Sequence, residues 1–201
     1  MKPEKLLEIL AVAGKLKTVT RHCYTAPDRK ESVADHSWRI ALMAMLLEEE
    51  FPEADMSRVM KMCLIHDLGE AFTGDIPTFH KTEADEALED HLYGAWVATL
   101  PESMGEVFRS LLEEMEALET QEARIYKALD KLEAVISHNE SDIATWLPLE
   151  YDLQLTYGAE NVAFSGYFQS LKARINRDTL EKIAGEGKGR QSAAGSEQGG
   201  L

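Results

Sequence analysis

Positive charge is scarce in this sequence. Its 201 residues carry 21 Lys and Arg against 36 Asp and Glu, a formal net charge of -15. No block rich in Lys or Arg occurs, and no segment matches a motif that lays a helix in the major groove. This argues against a duplex-binding module, although a local basic patch could still meet an anion the size of a nucleotide. The acidic excess lies mostly in helical stretches, where it bears on solubility and partners more than on fold. Cysteine is nearly missing as well: Cys23 and Cys63 form neither a CxxC pair nor a dense disulfide scaffold, as expected in a reducing compartment. Apolar runs stop well short of the roughly 20 residues that a membrane helix needs. The N-terminal MKPEKLLEILAVAGKLK has no apolar stretch ending in a small-residue cleavage site, so no signal peptide is expected. A soluble, cytoplasmic protein with no membrane partner is the expectation. Several catalytic templates are also missing. There is no HExxH and no GxxxxGK[ST], DLGEAFTGD lacks the ordered oxygen ligands of a calcium loop, and neither cysteine sits in a protease-type signature. If the chain is a hydrolase, water is the attacking group.

β-Branched alternation is rare, and helical periodicity dominates what remains. The pattern predicts helices over residues 3 to 17, 33 to 50, 56 to 67 with a continuation to about 72, 83 to 99, 102 to 117, 121 to 138 and 166 to 183. TRHCYTAPDRKE reads as a loop, GDIPTF as a turn or irregular crossing, and 141 to 165 resists assignment. Ser32 can cap the second helix, with Asp35 as a short relative of the usual capping-box partner. The closing GEGKGRQSAAGSEQGGL has almost nothing apolar to bury. The expected organisation is all-α: one helical domain over residues 1–184 and a disordered tail over 185–201.

The helix faces bring polar residues together. Ile40, Met43, Ala44 and Leu47 form the buried stripe of the second helix, and His36 lies on it near the N-terminal end. On the next helix Val59, Met62 and Cys63 lead along the apolar face to His66, which Asp67 follows. In YKALDKLEAVI the stripe is Ile125, Leu129, Leu132 and Ile136, with Asp130 at its border. An unpaired carboxylate near a core is costly, and a metal ion or a hydrogen-bonded partner would compensate it. His36, His66, Asp67 and Asp130 are therefore four possible ligands from three helices. Two imidazoles and two carboxylates suit a hard or borderline divalent ion that keeps open positions for water and substrate. Plainer readings stand beside this one. Each histidine could be a satisfied core residue, Asp67 an interhelical salt-bridge partner, and Asp130 a partner of Lys127 or Lys131. Trp38 and His91 read as packing residues and His80 as a rim or solvent residue, while the polar cluster of His138, Asn139, Glu140 and Asp142 could hold substrate, meet a dimer neighbour or simply end the helix.

ESVADHSWRIALMA, CLIHDLGEAFTGDIP and KALDKLEAVI, in that order, resemble the HD-domain metal-dependent phosphohydrolases, in the branch that includes the bacterial 5'-deoxynucleotidases. The resemblance runs from about residue 18 to residue 140. It implies a compact multi-helix HD-domain fold, a homodimer, and one divalent ion (Mn, Co, Mg, Fe or Zn) held by His36, His66, Asp67 and Asp130. Glu70 and Asp75 resemble the family's acidic positions close to water and substrate. Glu70 is thus expected to orient the water or act as general base or acid, and Asp75 to bind the water or the sugar side of the substrate. Arg21 resembles the family's nucleotide-binding arginine and would clamp phosphate with its permanently charged fork; Lys131 could reach the same phosphate. The family's common Arg-Trp pair is Arg21-His22 here. The activity implied is a metal-dependent 5'-nucleotidase that removes phosphate from (deoxy)nucleoside 5'-monophosphates by attack of a metal-activated water. Alternatives are an HD-family phosphodiesterase or guanosine polyphosphate alarmone hydrolase acting on another phosphate ester, and a non-catalytic helical interaction protein with a structural metal.

Overall fold

A computed structural model describes the backbone of residues 1–196 and the side chains as far as residue 186. Helix α1 (Pro3–Gly14) begins with proline at its first position, where no N–H is needed, and a single 3-10 turn follows it. It buries none of its residues fully, and Leu6, Leu7 and Leu10 are exposed.

The next segment is a hairpin rather than the expected loop. Strand β1 (Thr20–Ala26) pairs antiparallel with β2 (Arg29–Ser32), Tyr24 standing opposite Lys30, and Pro27 and Asp28 occupy the turn between them. Its alternation is invisible to a hydrophobicity pattern because two of the residues it tucks inward, Arg21 and Glu31, are polar. Their partners come from helices distant in sequence.

Ser32 then starts α2 (Val33–Leu46) through the expected capping box: Asp35 N donates to Ser32 Oγ at 3.1 Å, and Ser32 N donates to Asp35 Oδ2 at 2.9 Å. The cap sets the helical phase that places His36 inward beside Val33 and Ile40. Helix α3 (Met56–Ile65), capped by Asp55, stops before the His66-Asp67 doublet instead of running through it. Over the doublet the hydrogen bonds tighten to three-residue steps, Leu68 N to Ile65 O at 3.1 Å and Glu70 N to Asp67 O at 3.1 Å. The short α4 (Glu70–Thr73) follows and ends at Gly74, whose φ of 81° strains any other residue.

Helices α5 (Glu83–Val97), α6 (Glu102–Ala117) and α7 (Gln121–Glu140) complete the scaffold with α8 (Glu150–Thr156) and α9 (Gly166–Ser196). The core lies where α2, α3 and α7 meet, around Ile40, Val59, Met62, Ile125, Leu129 and Leu132, all fully buried. Helix α9 closes one side, its Phe168 stacking on Phe51 at 5.0 Å.

Two packing expectations fail. Trp38 is 62% exposed. His91 is also exposed, because α5 turns Tyr93 and Val97 inward and anchors itself by donating from Tyr93 Oη to Ile65 O at 2.8 Å. The backbone of α9 continues to Ser196, and the last residues of the expected tail, 197–201, lie outside the described ones. Among the described residues no helix is long and apolar enough to cross a membrane.

Because Ser32 caps the helix that carries His36, Ser32→Ala is expected to cost about 0.5–2 kcal/mol. In thermal unfolding this is a fall of a few degrees for a domain of this size.

Candidate metal centre and active site

Two elements meet at one point with His36, His66 and Asp67, and Asp130 of a third stands outside that three-residue set, approaching it at His36. His36 arrives on the buried face of α2, His66 and Asp67 on the tight turn after α3, and Asp130 from α7. His36, His66 and Asp67 each present one ligand atom, and the three lie within 4.8 Å of one another. His36 Nε2 is 3.9 Å from Asp67 Oδ2 and 3.5 Å from Asp130 Oδ1, while His66 Nε2 is 3.0 Å from Asp67 Oδ2. Both Nε2 atoms are buried without a hydrogen-bond partner. The opposite ring nitrogens are engaged: His36 Nδ1 contacts Glu133 Oε2, and His66 Nδ1 lies 3.0 Å from Cys63 O. Each Nδ1 thus has an acceptor for its proton, so that each Nε2 can give its lone pair to a divalent cation, in whose absence the carboxylates around His36 favour a proton there instead. That is the donor set and tautomer a divalent cation needs. Asp130 divides its two oxygens, Oδ1 toward His36 and Oδ2 toward Lys127 at 3.3 Å and Lys131 at 3.2 Å. The ligand reading and the lysine-partner reading of this residue are both compatible with that arrangement.

The charges follow from burial and neighbours. Burial opposes ionisation of Asp67, but His66 and His36 outweigh it and hold the carboxyl well below the usual range. Asp130 is also held low against burial, by Lys131, Lys127 and His36. His36 itself, opposed by burial and by Arg21, is raised to about 9 by Asp130 and Glu133. Glu70 goes the other way. It is buried, its Oε2 has no partner, and burial together with Asp67, Asp75 and Glu89 pushes it up to about 10. Burial also raises Asp75, Arg21 opposing.

Behind the centre lies a buried polar network that the helix faces did not reveal. Glu133, fully buried, accepts from Arg39 Nε at 2.6 Å and from Arg21 Nη1 at 3.3 Å. The hydroxyl of Ser137 lies between Glu133 and Glu31, and Cys23 Sγ donates to Glu31 at 3.0 Å. Arg21 is therefore held between two buried carboxylates, 3.3 Å from each. Glu133 sits three residues past Asp130, almost one helical turn, and that spacing was its only sequence signal.

Arg21 and Asp75 also line a cavity of about 110 Å³ that opens to solvent, with His22, Phe79, His138 and Tyr157 among its walls. Glu150 lies 3.2 Å from both His22 Nε2 and His138 Nε2, so of the polar cluster ending α7 His138 belongs to this wall, while Asn139 donates to Ile175 O and Glu140 pairs with Arg39. Lys131 donates to Tyr157 Oη at 3.0 Å, while His80 is exposed and touches this wall only through its ring, edge to face with Phe79 at 4.7 Å. On the far side, Lys81 Nζ is 2.8 Å from Glu89 Oε2, and the Glu89 side chain lies over Gly69. A Cβ on Gly69 would meet Glu89 Cγ at 2.8 Å.

Known proteins resemble this chain in sequence and in fold. The HD domain family model matches residues 13–172. The 5'-deoxynucleotidase HDDC2 of Dictyostelium discoideum is 29% identical over 89% of this chain and 94% of its own length. The human HDDC2 is 32% identical over 67% of each chain. Among solved structures, a predicted metal-dependent phosphohydrolase from Magnetospirillum magnetotacticum superposes with a TM-score of 0.73 at 28% identity, covering 89% of this chain and 95% of that one. The cyanophage S-2L HD phosphohydrolase DatZ, bound to dA and one catalytic Zn2+ ion, shares the fold at a TM-score of 0.59 and 20% identity, over 85% of this chain and 96% of its own.

A carboxyl raised in the folded state destabilises the fold increasingly as pH climbs from its unfolded value toward its folded one. With chelator present, Glu70→Gln is therefore expected to be more stable than the parent at pH 8. The advantage should disappear at pH 4, where the parent carboxyl is protonated in both states. Urea unfolding at the two pH values reads the difference.

Proposed function

The chain belongs to the HD-domain family, and from that membership we propose that it is a metal-dependent phosphohydrolase that removes the 5'-phosphate from nucleoside monophosphates, deoxynucleotides included. The observation that carries the reading is the pair of buried, unpartnered imidazole Nε2 atoms facing Asp67 and Asp130 beside a cavity lined by Arg21 and Asp75. The names of relatives point the same way, since the two HDDC2 proteins are 5'-deoxynucleotidases and the phage enzyme holds dA with zinc.

In this reading His36, His66, Asp67 and Asp130 hold the ion. When bound, a divalent ion supplies Lewis-acid activation of water and neutralises charge on the phosphoryl oxygens. The protein's own residues do the rest. Glu70, buried next to Asp67, exchanges the proton that the attacking water loses and the leaving 5'-oxygen needs, working directly or through one water. Arg21 gives the phosphoryl oxygens a fixed cationic fork from the cavity wall. Lys131, tied to Asp130 and Tyr157, adds positive charge on the α7 side. The rings of His22 and Phe79, edge to face at 5.9 Å, offer the nucleoside a flat partner, and Asp75 faces its sugar side. A homodimer belongs to the same proposal and would appear in light scattering as twice the chain mass.

The test is a metal-stripped preparation reconstituted with Mn, Co, Mg, Fe(II) or Zn. It is assayed against ribo- and deoxynucleoside 5'-monophosphates alongside other phosphate esters. Chelator should abolish phosphate release, and Asp67→Ala should lose both metal binding and turnover. Glu70→Gln should keep the metal while kcat falls by about 10²- to 10⁴-fold, the size of a lost general acid-base contribution. Hydrolysis of other esters without any nucleoside monophosphate would overturn the assignment.

A further inference from the structure

Helix α2 is apolar on both sides. Val33, His36, Ile40 and Ala44 turn toward the core, and a surface helix normally presents charged and polar residues on the opposite side. Here the opposite side is apolar instead. Trp38 stands two residues past His36, about 200° round the helix, and Leu42, Met45 and Leu46 follow it at helical spacing. Trp38, Met45 and Leu46 are 62%, 50% and 68% exposed, so none of them has found a partner in the single chain. Leu42 is half-buried, and Ala34 and Ala41 add small side chains to the same face. From Ile40 to Leu47 there is no polar residue, in a chain of which 28% is charged. A helix that is hydrophobic all round belongs in an interior, yet only one side of α2 lies in one.

We propose that this outer stripe of α2 is the contact between two copies of the chain, with the two α2 helices crossing antiparallel about a two-fold axis. The contact is the interface of the homodimer proposed above and rests on that reading. Charge decides both the partner and the direction. The charged side chains of α2, Asp35 and Arg39, are already paired, Asp35 with Arg29 and Arg39 with Glu133 and Glu140. The face can therefore lose its water without stranding a charge, and two copies of a chain with net charge -15 can meet there without burying any of that excess. Past the C-terminal end of α2 come Glu48, Glu49 and Glu50, all exposed and, among the described residues, in no ion pair. Before its N-terminal end Lys30 is exposed beside Arg29, and the positive end of the helix dipole adds to it. Antiparallel pairing sets the acidic end of each helix against the basic end of the other, whereas parallel pairing would bring the two glutamate runs together. A two-fold contact also needs a patch that complements itself. Trp38 near one end of the stripe and Met45 near the other provide that, the indole of each copy resting on the thioether and alanines of its mate. An aromatic residue and a methionine at the centre with charges at the ends is the composition of an interface core and its rim. The end of the chain, GKGRQSAAGSEQGGL, offers no rival cover, because its only large apolar residue is Leu201.

The test is the mass of the whole protein in solution, read by light scattering over a dilution series. The parent is expected at twice the chain mass. Met45→Glu, which sets a charge in the middle of the contact, should run at the chain mass with an unchanged far-ultraviolet circular dichroism spectrum, since this side chain is half exposed in a single copy. Trp38→Ala should raise the dimer dissociation constant by at least about 30-fold, the size of a hot-spot aromatic. Charge exchange reads the direction: Lys30→Glu should loosen the dimer, and adding Glu49→Lys should tighten it again. If Met45→Glu does not fold, Trp38→Ala and the exchange decide. A parent dimer indifferent to Met45→Glu and Trp38→Ala overturns this contact and leaves the homodimer standing, while loosening without recovery in the exchange overturns the antiparallel arrangement. A parent at the chain mass throughout overturns homodimer and contact together and leaves the face to another macromolecule or to none. The phosphohydrolase assignment is decided separately, by the chelator and Asp67→Ala assays.

Discussion

Everything in this molecule accommodates the placing of carboxylates inside a helical core. An ionised carboxyl in an apolar interior is tolerated only when opposite charge and hydrogen bonds surround it. Here Asp67, Asp130, Glu133 and Glu31 all lie close behind or within one cluster of side chains. Their compensation comes from every direction: His36 and Arg39 from α2, Arg21 from β1, Ser137, Lys127 and Lys131 from α7. The hairpin makes sense only in these terms. It is a poor strand pair by hydrophobicity, and it brings Arg21 and Glu31 to a network whose other members lie about a hundred residues away in sequence.

Environment then separates chemically similar groups into different tasks. Asp67 and Glu70 are three residues apart, yet one is kept ionised by two imidazoles and the other is driven toward its neutral form by burial and by neighbouring carboxylates. A pair of acids pushed in opposite directions is what a site needs if one is to hold a cation and the other is to carry a proton. Neighbours achieve the separation rather than angular register, since the three-residue steps after α3 keep residues three apart on one side: Asp67 has His66 and His36 beside it, whereas Glu70 is buried among Asp67, Asp75 and Glu89.

Much of this could be read in the chain before its fold. The stripes through Ile40 and Ala44, Val59 and Met62, and Leu129 and Leu132 do form the core, and His36, His66 and Asp67 do meet, because helical periodicity reports directly on which face is buried. What stayed hidden was whatever depends on polar partners distant in sequence. The hairpin's inward residues are polar, so alternation could not show it. Glu133 looked like one more glutamate on an acidic helix, and only the convergence of Arg21, Arg39 and His36 marks it out. His91 read as a packing residue, whereas Tyr93 dictates which face of α5 turns inward, through its bond to the Ile65 carbonyl. Trp38 stands outside for the same kind of reason: the α2 face is fixed by His36 and Ile40, which leaves a residue two positions past His36 facing solvent.

The glycine in HDLGE usually invites explanation by the doublet beside it, but its own neighbour is elsewhere. With Glu89 lying over Gly69 and reaching Lys81, the motif's bare backbone acts as a keyhole for a side chain of α5. Selection at this position would then act on the fit between two helices. A lineage that lost the Lys81-Glu89 tether would be free to lose the glycine too, with every metal-facing residue intact. One short stretch thus answers to two constraints, His66 and Asp67 to the centre and Gly69 to the side chain of Glu89.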